Sequence, residues 1–429
     1  MKIYRNPDKK EWPELLRRPL QDIRSLFPKV RKILDDVKNR GDEALFEYTE
    51  KFDKVSLVKL EMEYDEIMIA ADRISDELKQ AIHLAAGNIE KFHSIQKSIT
   101  KRIEVQPGVI CWQQSVPIEK IGLYVPGGTA PLFSTVLMLA IPARIAGCSE
   151  IILCTPPDKT GGINPAILYA AKITGVSKVF RLGGVQAIGA MAYGTESVPK
   201  VYKIFGPGNQ YVTAAKQLIA QGDAAIDMPA GPSEVAVIAD SSAIPAFVAS
   251  DLLSQAEHGI DSQVILVTNH EKTLKDVRDE LEKQLPLLPR KEIAGKALEN
   301  SRIFLLKDLD EMIEMINDYA PEHLIISTEN AETVAERIKN AGSVFIGNYS
   351  PESAGDYASG TNHTLPTYGH AKAYNGVNLD DYVKKITFQK ITREGLRKIG
   401  PAIEIMAEAE NLFAHKNAVQ IRLKQPQQL

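Results

Sequence analysis

The sequence predicts an α/β protein with two units, each built on a parallel β-sheet. From Lys120 onward, short runs rich in β-branched residues alternate with helical stretches, and the runs are IGLYV, EIILC, KVFRL and VYKIF. A second series follows the turn-rich segment DMPAGPSE, with the runs EVAVIAD, SQVILVT, RIFLL, HLIIST and SVFIG. Strand, helix and strand in this order are typical of parallel sheets. A chain of 429 residues is long enough for about two or three domains.

Helical segments are predicted on both sides of the two series. In the first hundred residues, apolar side chains recur every three or four positions across 13–52 and 75–96, so an all-α lead-in is expected. A stretch rich in Gly, Ser, Tyr and Thr covers 348–376 and is long enough to predict a functional loop. The end of the chain returns to a helical pattern at 391–423.

Composition excludes several classes of protein. With 51 basic and 55 acidic residues and no basic tract, the chain lacks the electrostatic field that attracts nucleic acid. It begins MKIYRNPDKKEWPELLRR, without a charged-then-apolar leader, and no apolar run is long enough to span a membrane, so a soluble protein is expected. The three cysteines, Cys111, Cys148 and Cys154, form no CxxC pair, which favours the reducing cytoplasm over a disulfide framework.

A metal site is one interpretation of the polar residues in the second half of the chain. The segment IPAFVASDLLSQAEHG predicts a helix with Gln255 and His258 on one face of its exposed last turn. Asp356, His363 and His415 lie in the loop and the tail, and two histidines with one carboxylate form an ordinary zinc set. A histidine at a helix C-terminus is also favoured by the helix dipole alone, and no HExxH or CxxC spacing decides between these interpretations.

An acid and an imidazole stand next to each other in the segment DYAPEHLIIST. Glu322 and His323 follow a proline and open an apolar strand, where functional residues of α/β folds often lie. Their chemistry suits proton transfer, because histidine titrates near neutrality and a partly desolvated glutamate can act as a base toward water. A fully extended backbone would place the two side chains on opposite faces. A surface glutamate beside a histidine that caps the sheet is an equally good interpretation.

Glycine-rich turns follow three of the predicted strands. They are VPGGTAP at 125–131, RLGGVQAIG at 181–189 and FGPGNQY at 205–211. Backbone amides in such turns can cradle phosphate. None of them is a GxGxxG dinucleotide fingerprint, because Tyr211 stands where the third glycine belongs. A dinucleotide, another phosphate ligand and plain tight turns therefore remain open as interpretations.

Taken together, these segments resemble the histidinol dehydrogenase family. The resemblance rests on LYVPGGTAPLFSTVLMLAIPARIAGC, FGPGNQYVTAAK, DMPAGPSEV, DLLSQAEHGIDSQVILVT, APEHL, AGDYASGTNHTLPT and ENLFAHKNAV. The similarity runs from about the first helices to the last ten residues. The strings are long and occur in one order, so chance is a poor explanation.

The resemblance implies a role for each of several residues. Glu322 and His323 would be catalytic. Substrate contacts would come from Ser233, Gln255, His258, His323, Asp356, Glu410 and His415. Tyr124, Gln186 and Asn209 would border NAD, and Gln255, His258, Asp356 and His415 would bind one zinc ion per subunit. His363 would be a neighbour of the ion and not a ligand.

The resemblance also implies an architecture. Two incomplete Rossmann-like domains would be present, one inserted into the other, within an intertwined homodimer. The expected division is an arm at 1–20, a first α/β domain at 21–120 and 234–376, a second at 121–233, and a helical tail at 377–429. The tail would reach the active site of the partner, so Glu410 and His415 would act in trans.

The implied reaction is the oxidation of L-histidinol to L-histidine, the last step of histidine biosynthesis. Zinc would orient the substrate, and His323 would take the alcohol proton while hydride passes to NAD. Glu322 would help water to add to the bound aldehyde, and a second NAD would accept the second hydride. A zinc hydrolase with Glu322 as base, a two-lobed solute-binding protein and a purely structural role are the alternatives.

Overall fold

The computed structural model describes residues 1–19, 23–127, 131–228 and 231–424. Predictions that fall on 20–22, 128–130, 229–230 and 425–429 lie outside the described residues, including part of the turn at 125–131 and of DMPAGPSE. The chain divides into two compact units. The large unit comprises Met1–Gln96 and Ile118–Tyr382, and the small unit comprises Lys97–Pro117 and Val383–Leu429.

The strands carry the labels β1 to β14 in chain order. They are β1 Lys2–Arg5, β2 Arg102–Gln106, β3 Val109–Pro117, β4 Lys120–Tyr124, β5 Glu150–Thr155, β6 Lys178–Arg181, β7 Lys203–Phe205, β8 Ala225–Ile226, β9 Glu234–Ala239, β10 Gln263–Thr268, β11 Arg302–Leu305, β12 His323–Ser327, β13 Ser343–Ile346 and β14 Val383–Ile391. Every apolar run read as a strand in the two series forms one.

The α-helices carry the labels α1 to α17. They are α1 Trp12–Leu15, α2 Phe27–Arg40, α3 Asp42–Asp53, α4 Tyr64–Ala71, α5 Asp76–Ser94, α6 Phe133–Ala146, α7 Pro165–Thr174, α8 Gly184–Tyr193, α9 Gln210–Ile219, α10 Pro245–Ala256, α11 Glu271–Gln284, α12 Lys291–Glu299, α13 Leu309–Tyr319, α14 Ala331–Ala335, α15 Glu352–Tyr357, α16 Arg393–Ala409 and α17 Phe413–Lys424. No helix in the described part of the chain combines the length and the apolar character needed to cross a lipid bilayer.

The first parallel sheet of the large unit has five strands in the order β6-β5-β4-β7-β8. Its strands are apolar on both faces because helices cover both faces. Ile121 and Leu123 of β4 point into one core cluster, with α5, α6 and α7, whereas Tyr124 points into the other, with α2, α8 and α9. Helices α2 to α5 therefore pack on this sheet, which differs from the expected division, where 21–120 joins 234–376. Periodicity predicts an amphipathic helix but not the sheet on which it packs.

The second parallel sheet has six strands in the order β1-β11-β10-β9-β12-β13. Strand β9 again alternates between two cores, with Val235 and Val237 on one side and Ala236 and Ile238 on the other. The edge strand β1 corrects the expectation of an all-α lead-in, because Lys2–Arg5 pair with Arg302–Leu305 of β11. Four residues are too few to show a period of two, and their partner lies about three hundred positions away, so local patterning cannot reveal this strand.

The two parallel sheets share one topology. In each, the first strand of the series is central, the next two extend to one side and the last two to the other, which is the Rossmann order without its sixth strand. The predicted fold of two incomplete Rossmann-like parallel sheets is thus confirmed. The crevice that this order creates lies between β4 and β7 in one sheet and between β9 and β12 in the other.

The small unit contains the antiparallel sheet β14-β3-β2 and the helices α16 and α17. Its sheet is held by nine paired residues along β3 and β14, and Trp112 stacks on Phe388 with ring centres 5.2 Å apart. Strand β14 is an addition to the helical tail expected at 377–429.

The glycine-rich stretch at 348–376 is only partly a loop. It contains the short helix α15 and a 3-10 turn at His370–Lys372. Asn362 anchors its middle by donating from Nδ2 to the carbonyl of Met138, 2.7 Å away. The stretch is therefore fixed against α6, and it carries Asp356 and His363 to one place.

Asp53, the last residue of α3, leads us to expect a pH-dependent stability. Burial raises the pKa of Asp53 to about 6, and Oδ2 has no hydrogen-bond partner among the described residues. A raised carboxyl pKa means that stability is greatest below the unfolded pKa near 4 and declines as the pH rises through 6. Because the side chain is partly exposed, the free energy of unfolding should fall by only about 1 kcal/mol over this pH range.

Replacing Asp53 with Asn should remove this loss. The variant should exceed the parent in free energy of unfolding by about 1 kcal/mol at pH 8, and the gap should narrow toward pH 5. Urea unfolding across this pH range measures it. Glu50→Gln, which changes an exposed acid on the same helix, is the control and should show no such trend. A gap that is constant with pH would contradict the explanation.

Candidate active site

A cavity of about 150 Å³ brings together most of the residues named from the sequence. Its wall includes Ser233, Gln255, His258, Glu322, His323 and Asp356, together with His363. Gly206 and Pro207, which follow β7, form another part of the wall. The cavity thus lies where the carboxyl edge of the five-stranded sheet meets the amino edge of the six-stranded sheet.

The parallel pairing of β12 with β9 holds Glu322 and His323. The N–H of Glu234 donates to Oε2 of Glu322 at 2.8 Å, and the carbonyl of Glu234 lies 3.2 Å from Nδ1 of His323. Nδ1 of His323 and Oε2 of Glu322 are 3.6 Å apart, and both side chains are buried. The two side chains do not face opposite sides, because Glu322 precedes the first strand residue and is not in extended pairing.

Helix α10 supplies Gln255 and His258. The helix ends at Ala256, so His258 lies just beyond its last turn and is about half exposed. Gln255 is only 1% exposed, so the expectation that both side chains occupy an exposed helix end is wrong for Gln255. The reason is tertiary, since α15 lies against this face of α10.

Helix α15 supplies Asp356 and also Glu352, which sequence reasoning missed. Oδ1 of Asp356 is 3.5 Å from Nε2 of His323, and Oδ2 is 4.0 Å from Nε2 of His258. Glu352, one turn earlier and 1% exposed, faces the Gln255 amide, which donates to it when the amide is turned with its nitrogen toward the carboxylate. The spacing of four between the two acids is the signal that the sequence offers, but the glycine-rich composition of 348–376 predicts a loop and hides it.

His363 has a different position from the other histidines. Its Nδ1 lies 2.9 Å from the carbonyl of Asp356, and its Nε2 lies 3.2 Å from the hydroxyl of Thr135. Burial lowers the pKa of His363. Both ring nitrogens already have partners, which leaves neither of them for a metal ion.

Carboxylates dominate the electrostatics of the cavity. Burial alone would lower the pKa of His323, but Glu322, Glu352 and Asp356 raise it by more, and the result is well above the usual value. Burial raises the pKa of Glu352 well above its usual range and that of Asp251, on the other side of Glu352, to about 7. A site with this many buried acids around one imidazole favours cationic ligands.

The donor set fits a divalent metal ion. Among the described residues, ligand atoms of His258, Glu352 and Asp356 lie within 4.8 Å of one another. Gln255 adds an amide next to Glu352. Imidazole nitrogen with carboxylate oxygen is a donor combination that suits zinc. The buried Nε2 of His323 has no hydrogen-bond partner in the described part of the chain, so it is a polar atom left for a ligand.

A larger cavity of about 370 Å³ adjoins the first. The two share Pro207, Gly231, Ser233 and His258. Pro126 and Asn209, which follow β4 and β7, line the larger one. It therefore opens at the crevice between β4 and β7, where Rossmann-like sheets bind their ligands.

Of the three residues expected to border NAD, one lines the larger cavity and the other two are buried and do not line it. Asn209 lines the larger cavity, and its Oδ1 caps α9 by accepting from the N–H groups of Tyr211 and Val212. Tyr124 is buried, and its hydroxyl accepts from the N–H of Gly184 at the start of α8, 3.0 Å away. Gln186, in the first turn of the same helix, is 1% exposed.

The remaining two residues named from the sequence belong to the small unit. Glu410 follows the last residue of α16, and His415 lies in the first turn of α17. Both are exposed in the chain itself.

Comparison with known proteins gives this arrangement a family. The family model described as histidinol dehydrogenase matches residues 16–423. A histidinol dehydrogenase of Bacteroides thetaiotaomicron is 64% identical over 423 residues, which cover 99% of each chain. This chain belongs to the histidinol dehydrogenase family. It is therefore an oxidoreductase, and the family recognised in the sequence motifs is confirmed.

Other histidinol dehydrogenases are similar to this chain in sequence and in structure. One from Escherichia coli (strain K12) is 55% identical over 413 residues, which cover 96% of this chain and 94% of that one. The crystal structure of the histidinol dehydrogenase from Elizabethkingia anophelis superposes with a TM-score of 0.97 at 58% identity. The superposition covers 99% of this chain and 98% of that one, so the two proteins share one fold over nearly their full length.

Gly206 generates a prediction at the junction of the two cavities. Its φ is +123°, and a Cβ there would lie 1.9 Å from the carbonyl oxygen of Tyr124. Its N–H donates to Oδ2 of Asp227, whose other oxygen pairs with the buried Lys216. Gly206→Ala should therefore lower the free energy of unfolding by about 2–4 kcal/mol, because backbone cannot move aside as a side chain can.

The matched control is Gly87→Ala in α5, where an added Cβ meets nothing within 4 Å. That change should stabilise the chain by about 0.5–1 kcal/mol, since alanine is the better helix former. Urea unfolding of both variants measures the contrast. A Gly206→Ala protein as stable as its parent would contradict the close approach of β4 and β7 at this point.

Proposed function

We propose that the chain oxidises L-histidinol to L-histidine with two molecules of NAD and one zinc ion, as the last step of histidine biosynthesis. The observation that carries the proposal is the buried Glu322–His323 pair, which faces a cavity adjoining the crevice between β4 and β7. Membership of the histidinol dehydrogenase family names the substrate.

The smaller cavity suits a small cationic amino alcohol. Its volume of about 150 Å³ limits the ligand to roughly the size of an amino acid. Glu322 and Asp356 in its wall, with Glu352 behind them, provide acceptors for an ammonium group. Ser233 lies in the walls of both cavities and can contact the substrate next to the hydride acceptor.

Gln255, His258 and Asp356 would hold zinc from the large unit, and His415 would complete the set. Zinc, when bound, supplies positive charge that binds the imidazole and amine of the substrate and fixes the reacting carbon. Glu352 would fix the orientation of the Gln255 amide through their hydrogen bond. Such outer partners commonly orient the ligands of a metal site.

The larger cavity would receive NAD, with Asn209 at its wall and Tyr124 and Gln186 behind the neighbouring turns. NAD supplies the hydride acceptor for each of the two oxidations. The turns after β4 and β7 lack the GxGxxG pattern, so the nucleotide would be bound by the crevice rather than by that fingerprint.

His323 would hold the alcohol proton during the first oxidation. Bound zinc would counter the carboxylates that raise the pKa of His323 and so favour the neutral ring. In that ring Nδ1 donates to the carbonyl of Glu234, which leaves Nε2 as the basic nitrogen toward the cavity. Loss of that proton and of a hydride from carbon gives the aldehyde. Glu322 would take a proton from water as it adds to the aldehyde carbon, and removal of a second hydride gives the acid.

The assembly would be an intertwined homodimer in the cytoplasm. Glu410 and His415 lie exposed at the junction of α16 and α17, where they could enter the cavity of a second copy. On this proposal each site needs residues from both chains.

The first test is NADH formation from histidinol before and after removal of metal. The intact protein should form two NADH per histidine, a chelator should abolish turnover, and zinc should restore it. Far-UV circular dichroism should stay unchanged on chelation, because the cores of both sheets lie away from the donor set. One NADH per product, or full activity without zinc, would contradict the proposal.

The second test separates the two oxidations. His323→Asn keeps a donor for the carbonyl of Glu234 but lacks the basic nitrogen, so it should slow both steps by about 100-fold or more. Glu322→Gln can still accept from the N–H of Glu234, and it should slow mainly aldehyde oxidation. Single-turnover rates with histidinol and with histidinal measure the two effects. Equal slowing of both steps in Glu322→Gln would refute this division of roles.

A further inference from the structure

The backbone of one residue, Glu234, holds both catalytic side chains. Its N–H donates to Oε2 of Glu322 at 2.8 Å, and its carbonyl lies 3.2 Å from Nδ1 of His323. The second contact matters for chemistry, because a neutral imidazole carries its proton on the nitrogen that donates. The position of this one peptide carbonyl therefore selects which nitrogen of His323 can act as a base.

The side chain of Glu234 is fixed on the opposite side from the cavity. It is only 2% exposed, and Arg18 binds it with two parallel hydrogen bonds, Nε to Oε1 at 2.5 Å and Nη2 to Oε2 at 2.8 Å. The N–H of Tyr368 donates to Oε1 at 2.7 Å. A two-point arginine fork of this kind defines the direction of a carboxylate as well as its distance.

Arg18 is in turn held by groups that leave it little freedom. Its guanidinium lies 4.0 Å from the centre of the Tyr319 ring, and Nη2 donates to the carbonyl of Tyr319 at 2.7 Å. The side chain is 12% exposed. Arg18 follows α1, so this side chain connects the N-terminal segment to Glu234 at the start of β9 and to the residues just before β12.

We propose that Arg18 and Glu234 are positioning residues, which hold the Glu234 peptide where it directs Nε2 of His323 and the carboxylate of Glu322 into the cavity. This inference rests on the proposed function, since it concerns the same proton transfers. Neither Arg18 nor Glu234 lines the cavity, so their side chains act on it through the Glu234 peptide. A reacting group displaced by about 1 Å can cost about 100-fold in rate.

The principal test is a cycle of variants in the full-length, zinc-loaded protein, with histidinol oxidation as the readout. Arg18→Met should lower kcat about tenfold to 100-fold and change the KM for NAD by less than about threefold. Arg18→Lys should recover part of the loss, because one ammonium hydrogen bond replaces the fork. Arg17→Met removes the neighbouring exposed arginine and should leave kcat unchanged.

Combination with His323→Asn distinguishes positioning from general support of the fold. If Arg18 acts through His323, the double variant Arg18→Met/His323→Asn should be about as slow as His323→Asn alone. If the two losses multiply, the proposal is overturned. A wild-type kcat in Arg18→Met, with fewer folded molecules by circular dichroism, would overturn it as well.

A second pair covers the case in which Arg18→Met does not fold. That variant leaves a buried carboxylate without its partner, whereas Arg18→Met/Glu234→Gln removes both charges and should fold. The folded double variant should keep the low kcat, and a return to the wild-type rate would overturn positioning. Failure of the proposed function would look different, because the wild type itself would then form no NADH from histidinol.

Discussion

The parallel register of β9 against β12 is the constraint on which the site depends. It pairs His323 with Val235, and so it places the Glu234 peptide between the side chains of Glu322 and His323. The pairing that builds the sheet and the hydrogen bonds that orient Glu322 and His323 therefore form one continuous ladder. Helix α10 leaves the far end of β9 and returns Gln255 to the same edge. A change that shifts this register would disturb the core and the chemistry together.

The two parallel sheets share a strand order but use opposite edges. The five-stranded sheet presents its carboxyl edge, where Rossmann-like folds bind their ligands. The six-stranded sheet presents its amino edge, where N–H groups at the strand starts have no partner further along the ladder and can bind a carboxylate. Glu322 uses such a group on Glu234. Facing edges of opposite polarity thus put the crevice between β4 and β7 next to anchored acids that favour a cation.

Much of the fold could be predicted from the sequence, because strands buried on both faces appear as short apolar runs, and β9, β10 and β12 are such runs. Strand β1 and the packing of α2 to α5 could not, since both depend on distant partners. Spacing alone suggested Glu322, His323 and His258, while the larger ligand set came from the family motifs. Glu352 was missed because α15 has six residues inside a glycine-rich stretch, too short to show a helical period.

The polar sides of α10 and α15 face each other, and their burial lowers the stability of the fold. Asp251 and Gln255 on one helix meet Glu352 on the other, and the pKa of Asp251 rises to about 7 because burial penalises its charge. Apolar side chains at these positions would pack the two helices at lower cost. Buried groups with strongly shifted pKa values next to a cavity are typical of functional sites. A cation that enters the cavity favours the charged form of the buried acids beside it, so its binding and the stability of the large unit are linked.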